Sequence, residues 1–131
     1  MRASAVIVGA AVLAGCATSP AKLAEGDFHW TAAAYPSSWE STYRAFIEGF
    51  RTCGGIYPEG QIYQDSQEGK IDIYLPAGFG GRSQWVFGKI RVIPTSEGSS
   101  AQIGVLKEYD RRQKQGDILA EWGRGNYQNC I

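Results

Sequence analysis

The chain holds one histidine, one methionine and three cysteines. A Ser- or Cys-based nucleophile needs a base, and a catalytic zinc needs three protein ligands. With the sole histidine, His29, far from any cysteine and in a segment that reads as linker, neither chemistry is expected. Basic and acidic residues balance at 13 each, so no cationic stripe for nucleic acid or anionic lipid is expected. Long hydrophobic runs are also missing. The uncharged stretch Ala3 to Leu13 is too short for a membrane-spanning helix, which needs about 20 apolar residues. No GxxxxGK[ST] phosphate loop occurs either, although Pro76 to Ser83 is glycine-rich.

What is present begins at the N-terminus. Met1 and Arg2 give a positive end, Ala3 to Leu13 an apolar core, and Ala14-Gly15 small residues before Cys16. That order is a secretory signal. Leu13-Ala14-Gly15-Cys16 resembles the lipobox of bacterial lipoproteins. The resemblance implies cleavage before Cys16, a diacylglycerol on its thiol and acylation of the new amino group. Several acyl chains, at about 0.8 kcal/mol per buried CH₂, anchor stably where one would not. Ala17 follows the cysteine rather than Asp. For a Gram-negative source the resemblance therefore implies the outer membrane, facing the periplasm, over the inner. Removing Arg2 leaves the mature chain one acid in excess.

The expected organisation is a signal peptide over 1–15, a lipidated N-terminus and flexible tether over 16–34, and one α+β domain over 35–131. Fully extended, 17–34 reaches roughly 55–60 Å. With Cys16 taken by lipid, Cys53 and Cys130 form an even remainder in an oxidising compartment. A disulfide between them is the preferred reading, with free thiols or a metal pair as the alternatives. Bonded, it pins the C-terminus near the end of the first helix.

Ser37 and Glu40 have capping-box spacing. Trp39, Tyr43, Phe46, Ile47, Phe50 and Cys53 then fall on one helical face, and Gly54-Gly55 stop the helix. Strand patterns follow over Gln61–Asp65, Lys70–Leu75, Trp85–Ile93 and Ala101–Tyr109, joined by short links. Asp110 is placed to cap a second helix, with Asp117 after Gly116 as the alternative start; Ile118, Leu119 and Trp122 form its short apolar stripe, and Gly123 and Gly125 end it. The expected fold is a helix, a three- to four-stranded antiparallel meander and a C-terminal helix, in a two-layer sandwich. That outline is loosely similar to the small domains of accessory lipoproteins in outer-membrane assembly machines, a likeness of topology alone.

Alternation puts Tyr74, Trp85, Phe87, Lys89 and Arg91 on one sheet face with Asp72, and Ile71, Ile73, Ile90 and Val92 on the other. If the helices cover the Ile/Val side, an aromatic and charged face is open, of the kind that meets protein, peptide or glycan. The alternative is that Trp85 and Phe87 face the helices. The loop with Phe79 and Arg82 at its tip is a second candidate contact. Acids such as Asp65, Glu68, Asp72, Glu97 and Glu108 show no spacing that singles out a glycosidase pair. The expectation is therefore a non-catalytic lipoprotein, without metal, cofactor or nucleic acid, that docks on an envelope protein. A glycan- or peptidoglycan-binding module is the second expectation, and an enzyme inhibitor acting through the Phe79–Arg82 loop the third.

Overall fold

The computed structural model describes residues 23–110 and 114–131. The expected signal segment 1–15 and the expected lipidation residue Cys16 lie outside the described residues, as do 111–113 in the predicted second helix. The fold is α+β. A 3-10 turn, Glu25–Asp27, leads into β1 (Phe28–Tyr35). Then follow α1 (Trp39–Cys53), β2 (Tyr57–Tyr63), β3 (Glu68–Pro76), β4 (Arg82–Thr95), β5 (Gly98–Leu106) and α2 (Gln115–Gly123).

The sheet is fully antiparallel, in the order β1-β5-β4-β3-β2. β2 to β5 form the expected meander. The fifth strand is a correction: residues 28–35 pair along β5 from Phe28–Leu106 to Tyr35–Ser99. The flexible tether therefore does not extend to residue 34. Phe28, Trp30 and Ala32 alternate with His29, Thr31 and Ala33, but three consecutive alanines carry little strand preference and hide the pattern. α1 carries the chain from β1 on one edge to β2 on the other.

α1 forms because the aromatic stripe recurs at helical spacing. Trp39, Tyr43, Phe46 and Phe50 are buried, with Ile47 and Cys53 packed at the margin. Its N-cap is Ser38, whose hydroxyl accepts the Ser41 N–H at 3.2 Å. The cap thus falls one residue after the expected Ser37. On its exposed side Glu48 and Arg51 pair at 2.7 Å. Both helices lie on one face of the sheet, and Leu119 and Trp122 of α2 join α1 and Ile71, Ile73, Ile90, Val92, Ile103 and Val105 in one core. Each such side chain contributes about 1.5–3 kcal/mol on burial. Thr42 on α1 and Ser99 on β5, both fully buried, satisfy each other at 2.7 Å.

β4 changes its facing midway. Ile73 pairs with Gly88 while Tyr74 pairs with Val86, so Phe87 is an extra residue, a bulge. Beyond it Ile90 and Val92 face the helices. Before it Val86 turns to the opposite face and Phe87 enters the helix-side core. The simple alternation expected over 85–93 breaks here.

The C-terminal segment is tied down. Cys53 and Cys130 are disulfide-bonded, and Trp122 Nε1–H donates to Asn129 O at 2.9 Å. The Tyr127 hydroxyl donates to Ala45 O at 2.8 Å. The C-terminus therefore lies beside the end of α1.

Candidate binding face

With both helices on one side, the other face of the sheet is left open among the described residues, and its side chains form cross-strand rows. Nearest the β3–β4 loop is an apolar row. Phe28, Tyr74, Val86 and Leu106 bury one another there, with Leu23 and Tyr109 against them. The next row, by register, runs Trp30, Gly104, Lys89, Asp72 and Glu59. After it come Ala32, Gln102, Arg91, Lys70 and Gln61. These rows floor a groove of about 450 Å³, lined among others by Trp30, Tyr63, Lys70, Asp72, Lys89 and Arg91.

Trp30 forms one wall. Its indole N–H donates to Glu25 O at 2.9 Å, and its ring stays 44% exposed. The ring lies over Gly104, where a Cβ would stand 2.9 Å from the indole. Glycine at this position is what lets the indole settle onto the sheet. Tyr63 on β2 forms the opposite wall.

Charge between the walls is mixed and paired. The Lys89 ammonium sits 4.8 Å from the Phe28 ring centroid and 5.4 Å from that of Trp30, within cation–π range. Asp72 stands across from Lys89 in the ladder. Burial pushes its carboxyl above the usual carboxylate range; Lys89 and Lys70 pull it back and Glu59 pushes it further up. Glu68 accepts a hydrogen bond from Arg91 and lies 3.6 Å from Lys70. Arg91 is the main reason the Glu68 carboxyl is held below its ordinary value. Glu59 pairs with Arg82 at 2.5 Å, and the Arg82 guanidinium covers the Tyr74 ring at 4.1 Å. Acids and bases alternate across the face, so it suits a polar, mixed-charge surface better than a polyanion.

The five residues expected on this face divide. Lys89 and Arg91 line the groove. Tyr74 is on the face but buried in its apolar row beneath Arg82. Trp85 is 45% exposed, in the irregular stretch between the Tyr74–Val86 and Pro76–Arg82 pairs. Phe87 is on the other side: the bulge places it in the helix-side core, stacked on Tyr109 at 5.9 Å. Of the loop pair, Phe79 is 98% exposed, while Arg82 is drawn back onto Glu59 and Tyr74.

Trp30, Tyr63 and Lys70 are groove residues that the sequence reading did not assign. Reading 28–35 as a strand would have exposed Trp30, and the Gln61/Tyr63 alternation would have shown Tyr63. His29, expected as a solvated linker residue, instead sits with Nδ1 3.0 Å from Asp110 Oδ2. Asp110, which is buried, also accepts the Gln115 N–H at 3.2 Å. The pair joins the edge strand to the start of α2.

Among the described residues, no three His, Cys, Asp or Glu side chains gather as metal ligands. No described helix is long and apolar enough to cross a membrane. Compared with protein families, curated proteins and solved structures, the chain matches none.

Proposed function

We propose that the chain is a lipid-anchored lipoprotein of the cell envelope that faces the periplasm and binds a protein partner without catalysis. The anchor reading rests on the signal and on Leu13-Ala14-Gly15-Cys16, and places the protein at the outer membrane of a Gram-negative cell. The binding reading rests on one observation. A groove spans the open sheet face, with Trp30 and Tyr63 as its walls and Lys70, Asp72, Lys89 and Arg91 between them. Half-exposed rings around paired charges supply both apolar area and directional contacts, the combination that interface hot spots use.

Two measurements test this. Intact mass of the detergent-purified mature protein should show diacylglycerol and a third acyl chain on Cys16. A photo-crosslinker at Gln102 in cells should capture one discrete envelope protein, and a Trp30→Ala exchange in the same chain should abolish the adduct. Absence of acyl mass removes the anchor. A crosslinker that captures nothing at native expression removes the protein-binding reading.

A glycan ligand is the second reading, favoured by the two aromatic walls on either side of the Gln61 and Gln102 amides, an arrangement suited to stacking on sugar faces. Co-sedimentation with purified cell-wall sacculi, lost on Trp30→Ala but kept on Trp85→Ala, would support it over the protein partner.

A further inference from the structure

The register gathers several chain segments at one end of the sheet. Phe28 opens β1 opposite Leu106, Tyr74 pairs with Val86, and Pro76 pairs with Arg82. The loop 77–81 and the first described residue, Leu23, are therefore at the same end, and Leu23 packs on the apolar row there. At this loop the Phe79 ring is 98% exposed, and Trp85 beside it is 45% exposed.

The loop is a built turn. Ala77 N–H donates to Gly81 O at 2.9 Å, and Gly80 N–H to Ala77 O at 3.3 Å. Gly80 and Gly81 take φ of +91° and +73°, which side chains other than glycine's rarely adopt. The turn thus holds Phe79 outward, its ring clear of the other described residues.

Only residues 17–22 separate Cys16 from Leu23. Even fully extended, they let Leu23 stand at most about 25 Å from the acylated cysteine. An anchor on Cys16 therefore keeps this end of the domain near the bilayer.

We propose that the β3–β4 loop is a second membrane contact: Phe79 enters the headgroup–acyl boundary and Trp85 lies at headgroup level. The occupant is the phospholipid surface that the anchor itself enters. A bare phenyl ring is favoured about 5–10 Å into that boundary, and indole prefers the headgroup level. The contact would stand the strands on the membrane and turn the groove sideways, open to the periplasm. The inference rests on the anchor reading above.

The test uses the mature acylated protein, isotopically labelled, in lipid vesicles and nanodiscs of phosphatidylethanolamine and phosphatidylglycerol. A fraction of the lipid carries a nitroxide at headgroup level. The Phe79 and Gly80 amides and the Trp85 indole should lose intensity, while Glu97, at the opposite end, keeps it. Phe79→Asp should restore the loop signals; the ring is 98% exposed, so the fold is retained. Loop signals as strong as that of Glu97 in protein that still floats with the vesicles would overturn the membrane contact and leave Phe79 to a protein partner. Protein that does not float removes the anchor, and the inference with it.

Discussion

The Trp122 indole lies flat on the backbone of Gly49: a Cβ built on Gly49 would stand 2.6 Å from Trp122 Cδ2. The two helices meet at this contact, and Trp122 is fully buried with its ring edge-on to Phe50 at 5.1 Å. Gly49→Ala has no room to relax without moving the indole. The exchange should cost about 1–3 kcal/mol, as overpacked cores do. Thermal denaturation checks it, and an unchanged Tm would show that the helices are less tightly apposed.

Alkaline stability should depend on Tyr35. Its hydroxyl donates to Ala120 O at 2.8 Å, and burial pushes its pKa from 10.0 up to about 12. Arg124 pulls the value back and Glu121 adds to the rise. Because the folded pKa is raised, the native state holds this proton more tightly than the unfolded chain. Its contribution, on the order of 2–3 kcal/mol, is complete below about pH 10 and lost as pH rises toward 12. Tyr35→Phe should flatten the fall in urea-denaturation stability between pH 10 and 12. An unaltered slope would contradict the assignment.

The Cys53–Cys130 disulfide closes a separation of 77 residues. Removing that closure should cost roughly 4–5 kcal/mol if chain entropy dominates. Cys53→Ser with Cys130→Ser should lower the urea midpoint sharply and release the segment after α2, including the Trp122–Asn129 hydrogen bond. Hydrogen exchange at the C-terminus, compared before and after reduction, reads this directly. Two alkylatable thiols in the native protein would refute the bond.

Asp110 holds two elements at once, through Gln115 N–H and His29 Nδ1. Asp110→Ala should cost about 1–3 kcal/mol, because two partly buried donors lose their acceptor. Faster amide exchange in β1 and the first turn of α2 is the expected signature. Loss confined to α2 would mean that His29 contributes nothing.

Gly104→Ala acts on the groove more than on the fold. The new methyl meets the outer edge of the half-exposed Trp30 ring and stands 3.2 Å from Cδ1 of buried Phe28. Stability should fall by about 1–2 kcal/mol. Crosslinking through Gln102 should drop as strongly as in Trp30→Ala. Retained crosslinking would place the contact elsewhere on the face.

Much of the fold was legible in one dimension. The helix over 39–53 carries its stripe at fixed spacing, β3 and β5 alternate in their apolar residues, and Cys53 and Cys130 are the pair left if Cys16 is acylated as proposed. Local preference decided these, because spacing and turn residues act over a few positions. β1 was not legible: an edge strand rich in alanine has little signal, and only its register with β5 makes it a strand. Nor was the bulge, since Phe87 and Val86 exchange faces through pairing with β3, a partner distant in sequence.

The sequence alone carries the proposal of export and anchoring, and it determined the cysteine chemistry open to the chain and the identities of its rings and charges. Tertiary structure alone decided that Trp30 and Tyr63 face each other across the open side and that Phe87 does not join them. It also decided that Phe79 stands 98% exposed at the end of the sheet where the described chain begins. The reason is physical: facing and proximity come from strand register and helix placement, which are set by contacts among residues far apart along the chain.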